Sequence, residues 1–194
     1  MSWAIWITGP PGSGKTTVAR GAAAALAERG VRVKVLDLDE IRRVITPQPA
    51  YTDAERELVY RALAYMARLL TEAGVPVLID ATAHRRAWRE LARELIPAFA
   101  EVQLRCPLEV CMGREQRRRR SHAPADIYAR GGKPGATVPG LDVPYEPSAT
   151  PELVLDTDTC DSWTQIQAVV YLARRLTRSA SADALGAPGR LLCK

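Results

Sequence analysis

The chain has 194 residues, 47% hydrophobic and 25% charged, which is close to the globular average and enough for one domain but short for two. Its 27 Lys+Arg against 22 Asp+Glu leave a net charge of +5. That modest excess suits a protein that handles small anions and is compatible with weak non-specific nucleic-acid binding. Most of the surplus sits in one run, Arg114-Glu-Gln-Arg-Arg-Arg-Arg120, so nucleic acid is not expected as a partner.

Ala4–Thr8 is a short apolar run ahead of a glycine turn and reads as a buried strand; without a basic leader it does not read as a signal peptide. Lys15–Arg29 is Ala-rich with helical periodicity and stops at Gly30. Val31–Asp37 alternates and predicts a second strand. Asp53 is expected to cap a helix over Ala54–Ala73, closed by Gly74. Val75–Asp80 predicts a third strand and Arg86–Leu95 a helix. Glu101–Arg105 predicts a fourth strand, and Pro107 opens a helix to about Arg119. Glu152–Leu155 predicts a fifth strand, followed by a helix near Ser162–Leu176.

Strands alternating with helices imply an α/β fold: a parallel five-stranded sheet with helices on both faces. Ser121–Thr150 lacks periodicity and is rich in Gly, Pro and Ala, which marks a functional lid or a disordered segment. The expected organisation is one domain over 1–176, with a lid at about 114–150, and a flexible tail over 177–194. Cys106, Cys111, Cys160 and Cys193 form no CxxC pair, and His84 and His122 are the only histidines, so no structural metal is expected. The thiols read as reduced cysteines of a cytoplasmic protein. No apolar run approaches the roughly 20 residues that cross a membrane.

The strongest motif is Gly9-Pro10-Pro11-Gly12-Ser13-Gly14-Lys15-Thr16, followed by Thr17. It fits G-x-x-x-x-G-K-[ST], with an apolar strand before it and a helix after it. In such a loop, backbone N–H groups and the helix N-terminus cradle phosphate oxygens. Lys15 reaches the β- and γ-phosphates and the Thr16 hydroxyl binds Mg²⁺. ATP and Mg²⁺ are therefore expected, in a P-loop NTPase-type fold.

Leu36-Asp37-Leu38-Asp39-Glu40-Ile41-Arg42 follows the second strand. Ligands of open parallel sheets sit beyond the strands' carboxyl ends, so Gly9, Asp37 and Asp80 should converge. Phosphoryl transfer to an alcohol needs a carboxylate near the attacking hydroxyl. Asp39 is assigned that role, with a cap of the next short helix as the alternative. Asp37 would support it or bind Mg²⁺ through water, and Arg42 would bind an acceptor phosphate. Val77-Leu-Ile-Asp80 has the look of a Walker B strand, so Asp80 would hold the metal's water shell, cap the next helix, or line the substrate site. Arg56 and Arg61 are five residues apart, about 140° around a helix; Arg56 is the expected gripping residue. Arg86 and Arg89 share a face.

These residues resemble the adenylyl-sulfate kinase (APS kinase) family. Asp37-Leu38-Asp39-Glu40-Ile41-Arg42 resembles its Asp-Gly-Asp-Asn-Ile-Arg, and Tyr51-Thr52 through Arg56 resembles its aromatic-Ser…Asp-Arg element. Cys106-Pro-Leu-Glu-Val-Cys-Met-Gly-Arg114 and Gly140-Leu141-Asp-Val-Pro-Tyr-Glu-Pro147, then Pro151-Glu-Leu-Val-Leu155, match further blocks. The similarity spans roughly residues 4–176. It implies transfer from ATP to the ribose 3′-hydroxyl of adenylyl sulfate, giving PAPS. It also implies that Asp37, Asp39, Arg42 and Arg56 contact acceptor and metal, that Tyr51 lies on an adenine, that Leu141 belongs to the acceptor side, and that Arg114 touches ATP.

The chain departs from the family pattern at Leu38 (for Gly), Val59 (for Asn), Asp80-Ala-Thr-Ala (for Ile-Ser-Pro-Tyr) and Pro134-Gly-Ala-Thr-Val-Pro-Gly140, which lacks the family's lid Phe. Two other functions stay open: a P-loop kinase of another hydroxyl (nucleoside, sugar, antibiotic or polynucleotide end) and a non-catalytic nucleotide-binding module. The expected partner is a small anionic acceptor. A homodimer is also compatible with the sequence, Trp3, Trp6, Trp88 and Trp163 being candidates for core or interface.

Overall fold

The computed structural model describes residues 2–117, 127–133 and 135–183, with only the backbone of 180–183. Arg118–Arg120, His122, Pro134, Cys193 and the tail beyond 183 lie outside the described residues. Five parallel strands, β1 (Ala4–Thr8), β2 (Lys34–Asp37), β3 (Val77–Asp80), β4 (Phe99–Arg105) and β5 (Leu153–Asp156), form one sheet in the order β2-β3-β1-β4-β5. The helices are α1 (Lys15–Ala27), α2 (Leu38–Ile45), α3 (Asp53–Glu72), α4 (Arg86–Leu95), α5 (Leu108–Arg117), the short α6 (Ile127–Arg130) and α7 (Ser162–Asp183).

Because both faces of the sheet are covered, β1 and β3 are apolar up to Thr8 and Asp80 at their ends, whereas β4 also buries Glu101 and Gln103. Side chains alternate along β1: Ala4 and Trp6 join a core with α3 and α4, around Val59, Leu63 and Trp88. Ile5 and Ile7 join the opposite core with α1 and α7, around Val18, Ala22 and Val169. A Cβ on Gly21 of α1 would meet Ile166 Cδ1 of α7 at 2.2 Å, so these helices pack through a glycine contact.

Asp37 of β2 stands opposite Asp80 of β3, and Asp80 opposite Ile7 of β1. The ends of β1, β2 and β3 therefore lie level, as expected. β1 sits between β3 and β4, so a cleft opens where the chain's windings diverge.

Three local expectations are corrected. Thr52, rather than Asp53, caps α3: its hydroxyl accepts the Glu55 N–H at 3.2 Å. Asp39 does not cap α2; Asp37 does. The last helix runs to Asp183, past Leu176.

Candidate active site

A cavity of ≈ 940 Å³ occupies the carboxyl end of the sheet. Its wall combines Pro11, Gly12, Gly14, Lys15, Thr16 and Thr17 with Leu38, Asp39 and Arg42 of α2. Tyr51, Arg56 and Asp80 complete the wall, and Arg114 stands on the α5 side.

The glycine turn behaves as its sequence requires. Gly12 and Gly14 have φ of 77° and 99°, the left-handed region that favours glycine. Gly14 starts α1 without a side-chain cap and the first turn holds no acid. The orphan N–H groups there suit an anion. Ser13 Oγ is buried and has no partner among the described residues. Lys15 Nζ donates to the carbonyls of Gly9 at 3.1 Å and Pro10 at 3.0 Å, which lays the ammonium across the turn. The uncapped helix start and the ammonium together fit a polyphosphate.

Asp80 is buried at the cavity wall. Burial pushes its carboxyl up to about 6 against the opposing pull of Lys15 and a hydrogen bond from Thr16. Among the described residues no group of three His, Cys, Asp or Glu could hold a metal. The donor set instead fits Mg²⁺, which takes one or two protein ligands and completes its shell with phosphates and water.

Asp37 stands apart from the other acids. Its Oδ1 accepts the N–H groups of Asp39 at 3.0 Å and Glu40 at 3.2 Å, and its Oδ2 meets Arg20 at 3.1 Å. It is not on the cavity wall; it caps the start of α2 and thereby aims Asp39 and Arg42. Leu141 is likewise outside the cavity wall. It is 43% exposed, and its Cδ2 lies where a Cβ on Gly131 would stand, at 2.3 Å. Gly9, Pro10 and Ser13 shape the turn from behind rather than facing the cavity.

The arginines divide by partner. Arg42 is buried, pairs with Glu55 at 2.8 Å and has its Cζ 5.2 Å from the Tyr51 ring centroid. Tyr51 itself has a φ of 53°, a costly backbone for an aromatic residue. Arg56 Nη2 donates to the Thr137 carbonyl and hydroxyl, each at 2.8 Å, while its buried Nη1 has no partner among the described residues. Arg61 is an exposed partner of Glu57 and Arg86 of Glu90. Arg89, by contrast, is fully buried. Arg114 donates to the Thr157 carbonyl at 2.6 Å and its hydroxyl at 3.2 Å.

Sequence reading missed Thr82, His84, Arg130, Lys133 and Val138, all on the cavity wall. Only proximity in the fold brings them there. Of the departures from the family pattern, Val59 is absorbed into the core. Leu38 is mostly buried with it and adds only part of its surface to the wall.

A parallel sheet whose first strand feeds a phosphate-binding turn, with carboxylates one strand over, defines a P-loop kinase. The adenylylsulphate kinase family model matches residues 1–156. A probable adenylyl-sulfate kinase of Archaeoglobus fulgidus is 43% identical over 164 residues, covering 83% of this chain and 99% of the relative. The adenylyl-sulfate kinase of Bacillus pumilus is 39% identical over 158 residues, 79% of this chain and 75% of its own. The Mycobacterium tuberculosis APS kinase, solved in complex with AMPPNP and APS, superposes with a TM-score of 0.78 at 31% identity, covering 89% of this chain and 98% of its own. This chain belongs to the adenylylsulphate kinase family; it is a kinase that uses ATP and Mg²⁺. Among the described residues no helix is long and apolar enough to cross a membrane.

Proposed function

We propose that the chain transfers the γ-phosphoryl group of ATP to the ribose 3′-hydroxyl of adenylyl sulfate, giving PAPS and ADP. The observation that carries the acceptor assignment is Arg56 Nη1, a buried donor without a partner among the described residues, on a cavity that also holds Lys15, Thr16 and Asp39. A buried guanidinium nitrogen without a partner is costly, and an anionic acceptor removes that cost.

In this reading the turn from Gly9 to Thr17 wraps the phosphates and Lys15 neutralises charge on the β- and γ-oxygens. Thr16, with Asp80 behind it, would hold Mg²⁺, which supplies charge neutralisation and in-line orientation. Asp39 orients the acceptor hydroxyl and takes its proton as the new O–P bond forms and the β–γ bridge breaks. Arg42 and Arg56 hold the acceptor's anionic end, Tyr51 offers a ring face to its base, and Arg114 stands at the ATP side. Asp37 acts by fixing α2.

A second reading keeps the transfer but changes the acceptor to another hydroxyl. The wall segment from Gly135 to Pro139 carries no aromatic side chain to close over a base. An assay of purified protein with ATP, Mg²⁺ and adenylyl sulfate decides: PAPS formation supports the first reading, and turnover only with other hydroxyl compounds supports the second. The reduced thiols Cys106, Cys111 and Cys160 support a cytoplasmic location. A homodimer belongs to the same reading; Trp163, unlike the other three tryptophans, is exposed, and light scattering reads the mass.

A further inference from the structure

His84 is 4% exposed and lies on the cavity wall. Its carbonyl accepts the Glu146 N–H at 2.8 Å. Its ring meets Trp88 edge-on, with centroids 5.0 Å apart, and Trp88 stacks on Tyr60 at 4.2 Å. Among the described residues neither ring nitrogen has a hydrogen-bond partner. Packing against Trp88 needs only a flat apolar edge, so it gives no account of two polar ring nitrogens on a cavity wall.

The backbone around His84 is over-determined. Ala83 has a φ of 41°, a left-handed conformation that costs free energy outside glycine. Its N–H donates to the Tyr60 hydroxyl at 2.9 Å, and its carbonyl accepts from buried Arg89. Arg89 also donates to the Glu146 carbonyl at 2.6 Å. Three elements therefore hold one short loop in a strained shape, and the result is an imidazole at the cavity beside Arg56.

We propose that His84 is a specificity-determining residue of the acceptor site, hydrogen-bonding an uncharged polar group of a nucleotide acceptor while Arg56 holds its anionic group. Burial, with Arg56 and Arg85 nearby, pushes the imidazole down to about 4. It therefore meets its ligand neutral, with one donor and one acceptor nitrogen. That pairing suits a ribose hydroxyl or a base edge. A site built around such a bond rejects acceptors that lack the matching group.

The proposal rests on the transferase reading for the choice of adenylyl sulfate as probe, so binding and turnover are measured separately. His84→Leu keeps the contact with Trp88 and removes both nitrogens; His84→Asn and His84→Gln restore a donor and an acceptor. The expected result is a rise of about tenfold or more in the KM and Kd for adenylyl sulfate in His84→Leu. The KM for ATP should stay unchanged, the unfolding midpoint should hold, and at least one amide variant should recover affinity. An unchanged Kd in His84→Leu, a parallel rise in the KM for ATP, or no recovery by either amide would overturn it. A wild-type chain that binds adenylyl sulfate without phosphorylating it would overturn the transferase reading alone. One that fails to bind would overturn both.

Discussion

The hydroxyls of Thr8 and Tyr145 lie 2.9 Å apart, which ties the last residue of β1 to a segment 137 residues further along the chain. Thr8 also donates to the Thr82 carbonyl at 2.6 Å. The segment from Gly140 to Pro147 is therefore a strap across the ends of β1 and β3. None of its residues lines the cavity; it braces the walls that do.

Tyr145→Phe removes one hydrogen bond and leaves the ring over Arg89. The expected loss is about 1 kcal/mol of unfolding free energy, read as a lower urea midpoint with an unchanged slope.

Arg89 gives a harsher case. It pairs with Glu101 at 2.5 Å, donates to two backbone carbonyls and lies under the Tyr145 ring. Arg89→Met leaves buried Glu101 with only its longer 4.0 Å contact to Arg93, and about 3–5 kcal/mol of stability should go. Arg89→Lys should recover little, because one ammonium cannot span the three directions of the guanidinium fork. Chemical denaturation of the three proteins tests both statements.

The two neighbouring acids of α2 should separate cleanly. Asp37→Asn keeps an oxygen to cap α2 and should retain most turnover. Asp39→Asn should lower kcat by about 10²- to 10⁴-fold with stability within about 0.5 kcal/mol of wild type. A collapse of turnover in Asp37→Asn with Asp39→Asn active would reverse the assignment.

Lys15→Ala removes the ammonium that spans the phosphate turn. Its kcat should fall by about 10²- to 10³-fold, with folding intact because Lys15 is partly exposed. Circular dichroism and single-turnover kinetics on one preparation check this.

His84 also predicts a pH dependence of stability. Arg56 and Arg85 oppose its proton, while Asp53 and Glu146 favour it more weakly. Its folded value, about 4, lies below the 6.5 of an exposed imidazole, so the unfolded chain binds the proton more readily. The His84 contribution to stability should be full above pH 6.5 and be lost progressively towards pH 4. Asp80, raised to about 6, changes with the opposite sign over part of that window, so the difference between wild type and His84→Asn isolates the His84 contribution. That window lies largely above the one in which Glu55 and Glu57, whose carboxyls are held below the usual range, lose their contribution. His84→Asn should flatten the decline between pH 6.5 and 5.

The fold was legible because β1 and β3 are nearly uninterrupted apolar runs and α1 and α3 end near a glycine, at Gly30 and Gly74; α7, without a glycine near Leu176, runs past its expected end. The phosphate turn was legible because its geometry demands glycine. Roles among like residues were not. Asp37 and Asp39 are two apart in sequence, and only the turn of the chain into α2 decides which carboxylate faces its own backbone. Arg86 and Arg89 share a helix face in sequence terms, yet one is solvated and the other buried. His84, alone on an irregular loop, had no periodicity to mark it; its place follows from Tyr60, Arg89 and Glu146, far apart in the chain.

A Cβ on Gly12 would stand 2.4 Å from the Cys111 carbonyl of α5, and the Tyr128 hydroxyl donates to the Pro11 carbonyl at 2.7 Å. The phosphate turn thus has no freestanding shape. Its floor is the backbone of α5 and its side wall is the start of α6, so a displacement of either helix is mechanically a displacement of the turn. A substitution that shifts the α5 backbone at Cys111, or one that removes the Tyr128 hydroxyl, therefore reshapes the turn from outside it.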